Sequence, residues 1–356
     1  MSSSTATWHP HCLAHKRLIK WRPASPWADA PYLSEEDLTH VFHVLSFSWA
    51  DKTLKTYGSG LLLYHVFCDV RNIPDDARCP ASAKIISSNL VNYLHGLEAW
   101  HILLGLPWLV NKTETSQLIT AALHLQPPHT RKKWHLPYTC DTMVTLLQHL
   151  NLSLPLDAAV AACLTTTFYS TARLGEFTLP NLQCFNHNYC CTQHVHLNVG
   201  PNRNNLELTV FFVPKTKSSI HGEDVFWATQ DGPSDPQALL ENHFAINDLP
   251  LTQPVFSYIH KGKLHPLTKA AFLSRLHKAF KEAKIEPLQG HGIHIGSTLE
   301  YLLRAIPFDV VKTIGRWKSD ASILYLRKHA QILAPHMQAV PDIHEEFIRY
   351  TMPQIR

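Results

Sequence analysis

TARLGEF, residues 171–177, follows directly on DAAVAACLTTTFYS at 157–170, a run of small and apolar residues. That composition predicts a helix over 156–171 buried on most of its surface. The helix must break at Leu174-Gly175, which leaves Arg173 on a rigid element beside a bend. Glu176, three residues on, is placed to form an ion pair with it or to anchor the chain that follows. Alone, Arg-Leu-Gly-Glu is an ordinary turn. It gains meaning from VPKTKSS at 213–219, where Pro214 ends a β-rich run, LELTVFFV, and a turn presents Lys215 and Lys217. Further out stand GHGIHIG at 290–296 with His291 and His294, GRWKSD at 315–320 with Trp317, and Tyr325 within SILYLRKHA at 322–330.

These segments fall within a two-part chain. Helices are predicted at 33–48, 52–69, 85–105 and 113–124, each with an apolar face that needs the others for burial. They make an all-α unit over 33–124, preceded by a flexible basic leader over 1–32 that carries Lys16, Arg17, Lys20 and Arg22. That leader reads equally as a nuclear address, a DNA arm or a basic segment without a partner. Residues 125–137, LQPPHTRKKWHLP, read as a linker. A mixed α+β domain covers 138–335, with helices at 140–151, 156–171, 235–246, 268–283, 295–304, 308–315 and 320–332 and strands at 193–199, 206–213 and 222–228. The tail, 336–356, has one short helix near 343–350.

Charged residues are 17% of the chain and hydrophobic ones 45%, which excludes a disordered polyelectrolyte and leaves enough apolar mass for two cores. No apolar run is long enough to span a bilayer, and the first residues lack the apolar stretch of a secretory signal. The formal charge of +4 is uneven: residues 261–337 hold thirteen lysines and arginines against five acids, the bias of a phosphate-binding surface. The eight cysteines form no disulfide framework and read as reduced thiols. Cys184, His187, Cys190, Cys191, His194 and His196 are a candidate zinc cluster, but their spacing fits no common module, and in a chain with 25 histidines chance proximity is the simpler account. No metal and no cofactor is expected.

In their order, TARLGEF, VPKTKSS, GHGIHIG, GRWKSD and Tyr325 resemble the catalytic domain of tyrosine recombinases, the family of phage-type integrases and of recombinases from eukaryotic mobile elements. GRWKSD narrows the resemblance to captured or element-encoded forms in fungi. The resemblance covers roughly 33–335 and implies an all-α, SAM-like core-binding domain joined to a mixed α+β catalytic domain with a small antiparallel sheet. It implies site-specific breakage and rejoining of double-stranded DNA through a 3′-phosphotyrosine. It also implies a monomer when free, a homo-tetramer on DNA, a place in the nucleus, and 336–356 as an assembly element. Carried over by position, Arg173 binds the scissile phosphate, His291 bonds a phosphate oxygen or assists proton transfer, Lys215 protonates the leaving 5′-oxygen with Lys217 as its competitor, Trp317 donates its indole N–H, and Tyr325 is the nucleophile.

The chemistry suits these residue types. A transferring phosphoryl group gains negative charge on its equatorial oxygens, and fixed cationic donors aimed there lower the barrier. A guanidinium donates two parallel bonds to phosphate, and an ammonium can hand over one proton. One position departs from the pattern: the family carries arginine three residues after the first histidine, where this chain has His294. An imidazole donates two bonds only when charged, and one when neutral. Three readings therefore stand: a recombinase impaired at His294, with Arg316 or Arg304 as a substitute cation; a DNA-binding descendant without turnover; and a histidine-rich metal-binding protein.

Overall fold

The computed structural model describes residues 9–21, 34–79, 81, 91–124, 136–185, 188–199, 208–217 and 219–317. The chain divides into two compact units, Met1–Lys132 and Lys133–Arg356. No helix among the described residues is long and apolar enough to cross a membrane.

In the first unit, α1 (Arg17–Lys20), α2 (Glu35–Ser46), α3 (Asp51–Val70), α4 (Val91–Leu103) and α5 (Lys112–His124) follow one another. Leu61, Tyr64, Leu97 and Trp100 are fully or almost fully buried between α3 and α4. Part of the expected leader is corrected by this core. Leu18 and Trp21 are buried in it, the Trp21 carbonyl accepts from the Trp100 indole at 2.8 Å, and Arg17 donates to the Gly58 carbonyl at 3.1 Å. A Cβ at Gly58 would stand 1.8 Å from the Ala14 carbonyl oxygen, so only glycine lets this N-terminal segment lie against α3. Four basic residues, Lys16, Arg17, Lys20 and Arg22, hid two apolar anchors among them, Leu18 and Trp21.

The second unit opens with α6 (Cys140–Gln148) and α7 (Pro155–Tyr169). Asp157 through Tyr169 are buried on every side, as the small and apolar composition implies. After the one-turn α8 (Leu174–Phe177) come β1 (Val195–Val199), β2 (Leu208–Val213) and β3 (Glu223–Ala228), an antiparallel sheet in the order β1-β2-β3. Thr209, Phe211 and Val213 on β2 and Val225 and Trp227 on β3 point inward, a period of two that sets one face on the core. Phe211 meets Phe177 edge-on at 5.4 Å, which places α8 under the sheet.

Then follow α9 (Pro236–Asn247), a hairpin of β4 (Tyr258–His260) and β5 (Lys263–His265), α10 (Lys269–Glu282), α11 (His291–Leu303) and α12 (Phe308–Ile314). The small hairpin was not expected, although Lys261 and Gly262 both take positive φ as its turn requires. The strand expected from 193 starts at Val195, because Cys191 and His194 close a tight turn in which the Cys191 N–H bonds the His194 ring at 3.0 Å. The helix expected from 295 starts four residues earlier, at His291. Its glycines are sites of close approach: a Cβ at Gly296 would lie 2.0 Å from the Tyr138 carbonyl oxygen. The predicted helix 320–332 and the tail 336–356 lie outside the described residues.

Candidate phosphoryl-transfer site

Arg173 sits immediately before α8, and Glu176 closes the turn beneath it. The Arg173 main-chain N–H donates to Glu176 Oε2 at 2.9 Å, and its guanidinium Nη1 to Oε1 at 3.2 Å. The side chain of Arg173 remains 28% exposed whereas that of Glu176 is 7% exposed, so the arginine is aimed outward on a buried carboxylate foot. The expected ion pair is therefore present.

Two residues before it, Thr171 takes φ 49°. A β-branched residue is strained in the left-handed region and must be held there. Its hydroxyl lies 2.7 Å from that of Ser297 on α11, both groups fully buried. That bond ties the arginine turn to the helix of the two histidines.

His291 is the first residue of α11 and is exposed; His294, one turn deeper, is buried. Their ring centroids are 6.2 Å apart, and the Trp317 ring covers His294 at 4.9 Å. Burial above all, and then the charges of Arg173, His291 and Arg316, push the His294 imidazole down to about 3, against a main-chain hydrogen bond with Thr171 that pulls the other way. His294 is neutral at any pH near 7. It supplies no permanent charge where the pattern has arginine, and mild acid does not supply one either.

Arg316 enters from beyond α12. Its Nη2 donates to Glu176 Oε2 at 2.6 Å and its Nη1 to Glu223 Oε1 at 3.1 Å. Glu223 in turn accepts from the Thr216 hydroxyl, one residue past Lys215. Arg304 is engaged elsewhere, bonded to Glu300 at 2.8 Å and Gln230 at 2.7 Å beside Tyr169 and Tyr301.

Arg173, His291, His294 and Trp317, from three distant stretches of sequence, thus come together, with Arg316 among them. Lys215 and Lys217 are both exposed and flank the buried Thr216. Tyr325 lies outside the described residues. Glu223, Thr171 and Ser297 had no signal in the sequence, since an acid on a strand and two hydroxyls are unremarkable until the fold sets them beside a cation or each other. Among the described residues no three histidines, cysteines or acids are grouped as metal ligands, and of the candidate zinc cluster His187 lies outside them.

No protein-family model matches the sequence. No curated protein matches it either. Similar solved structures include a lambda integrase dimer bound to a COC′ core site, at 15% identity and a TM-score of 0.44 over 81% of this chain and 93% of that one. Another is the XerH site-specific recombinase bound to difH substrate in a pre-cleavage complex, at 12% identity and a TM-score of 0.42 over 92% and 95% of the two chains. A third is a Flpe–Holliday junction complex, at 13% identity and a TM-score of 0.35 over 85% and 82%.

Proposed function

We propose that this chain breaks and rejoins double-stranded DNA as a tyrosine recombinase does, with Arg173 and His291 holding the scissile phosphate. The observation that carries the reading is the meeting of Arg173, His291, His294 and Trp317, with Arg173 braced on the buried carboxylate of Glu176. Arg173 presents a braced guanidinium to solvent, and His291 is exposed in the first turn of α11. Tyr325 then attacks phosphorus through its phenol oxygen, whose proton passes to His291. The P–O5′ bond breaks, the 5′-oxygen takes a proton from Lys215, and reversal by another 5′-hydroxyl rejoins the strand. Lys217 is the competitor for that proton. Productive exchange of two duplexes assembles four copies on DNA, the free chain is a monomer, and the setting is nuclear, in or derived from a mobile element.

A second reading, a DNA-binding protein without turnover, is favoured by one observation. His294 is buried and neutral, so the transferring group lacks one fixed cation.

Selection of bound duplexes from a random-sequence pool, followed by a nicked form of the selected duplex that loses its leaving strand, separates the two. The recombinase reading expects a detergent-resistant protein–DNA species that Tyr325→Phe abolishes. Sequence-selective binding with no such species supports the second reading. Absence of duplex binding refutes both.

A further inference from the structure

The turn carrying Arg173 and the turn carrying Lys215 belong to different elements, and side chains link them. Glu176 holds the Arg173 main chain and guanidinium. Glu223 pairs with Val213 across the β2–β3 ladder, at the mouth of the hairpin, and accepts from Thr216. Thr216 also fixes the turn from within: its N–H bonds the Ser219 carbonyl at 2.9 Å and its hydroxyl accepts from the Ser219 N–H at 3.0 Å. Arg316 spans the gap, one nitrogen on each carboxylate. The path Arg173–Glu176–Arg316–Glu223–Thr216 is continuous and ends one residue from Lys215.

Two features separate Arg316 from Arg173. Its side chain is 9% exposed, against 28% for Arg173, so its donors face inward. Its φ is 56°, the left-handed closure of α12, in which the Trp317 N–H bonds the Lys312 carbonyl at 3.2 Å, so the helix end fixes the main chain from which the side chain departs. A planar fork can serve two carboxylates at fixed angles, whereas a single ammonium cannot.

We propose that Arg316 is a positioning residue that sets the lysine turn against the arginine turn, and that it acts through Glu176 and Glu223 without binding the phosphate. This rests on the recombinase reading for its catalytic consequence, and on the bonds above for the coupling itself.

The test uses the full chain with Arg316→Ala, Arg316→Lys, Glu223→Gln, and Arg316→Ala combined with His294→Arg. The first readout is hydrogen exchange in the free protein. Both 214–222 and 171–177 should exchange faster in R316A, on the order of tenfold. E223Q, which keeps the side-chain shape, should loosen 214–222 and spare 171–177, and R316K should lie between R316A and the unmodified chain. The second readout is adduct formation on the nicked selected duplex at saturating DNA. R316A and E223Q should slow it with the dissociation constant unchanged, and His294→Arg should not restore it. Unchanged exchange of 214–222 in folded R316A and E223Q overturns the coupling. Recovery of the adduct in the R316A/H294R double variant also overturns the proposal, because Arg316 would then be the missing phosphate cation. Should R316A fail to fold, E223Q decides alone on both readouts. If the unmodified chain forms no adduct, the recombinase reading fails while the exchange measurement still judges the coupling.

Discussion

The hydroxyls of Thr171 and Ser297 lie 2.7 Å apart in the core of the second unit, and through them the arginine turn is fastened to α11. Thr171 is held at φ 49°, which removes the main-chain preference a threonine would otherwise express. Ser297→Ala should lower stability by about 1–3 kcal/mol, since the partner hydroxyl loses its bond without gaining water. Thr171→Gly should be more stable than Thr171→Ala, because both lose the bond and only glycine is at ease at that φ. Chemical denaturation of the three variants checks this, and a T171A at least as stable as T171G refutes it.

Acid should loosen the second unit from its buried histidines. Burial pushes His294 down to about 3 and His243 down to about 4, while an unfolded histidine titrates near 6.5. Between those values the unfolded chain binds protons that the folded one refuses, so stability is full above about 6.5 and falls as the pH drops. Each group contributes about 1.4 kcal/mol per pH unit inside its window. His65 in the first unit, pushed down to about 2, should act in the same sense there. Thermal melting from pH 7.5 to about 4.5 measures it. His243→Gln should flatten the dependence, and an identical slope in that variant would contradict the assignment.

His294→Arg brings a third guanidinium near Arg173 and Arg316, into space roofed by Trp317. Without DNA the variant should be less stable by about 1–3 kcal/mol from crowding. With the selected duplex part of that loss should return, since phosphate neutralises the added charge, and adduct formation should rise. A variant as stable as the parent with no change in adduct would show that position 294 does not face the phosphate.

Arg275 holds Asp157 by two bonds, at 2.6 and 2.8 Å, and also caps the His149 carbonyl at 2.8 Å. This nearly buried pair joins α10 to the start of α7, the helix that leads into the Arg173 turn. Arg275→Ala should cost about 3–5 kcal/mol by stranding the carboxylate. Arg275→Met with Asp157→Leu should recover most of that loss. Equal instability of the single and double variants would mean that packing, not the uncompensated charge, is at stake.

Duplex binding should weaken steeply with salt, the logarithm of the constant falling about 0.9 per neutralised phosphate per logarithm of salt. Charge reversals among the lysines of 261–284 should weaken all sequences alike. A flat response in a salt titration would exclude a phosphate-binding surface.

Much of this was written in the residues themselves. α7 was evident from its unbroken small and apolar composition, β2 from β-rich residues closed by Pro214, and Arg173, His291 and Trp317 from motifs whose order survives without knowledge of the fold. The substitution at His294 is likewise a matter of sequence alone, because the absence of a guanidinium needs no coordinates.

Other features depended on non-local packing. Gly292 lies before the helix predicted from 295, and only the nearness of the 136–138 main chain shows why both 292 and 296 must be glycine. Leu18 and Trp21 sit in a basic stretch whose burial is decided by α3 and α4. That His294 is neutral follows from its depth and from Arg173 and Arg316 beside it, since a pKa is a property of surroundings. Arg316 is the sharpest case. The sequence determined that a guanidinium precedes Trp317; the tertiary structure decided that it faces two carboxylates from separate elements, because chain distance places no limit on which charges a compact fold brings within hydrogen-bonding reach.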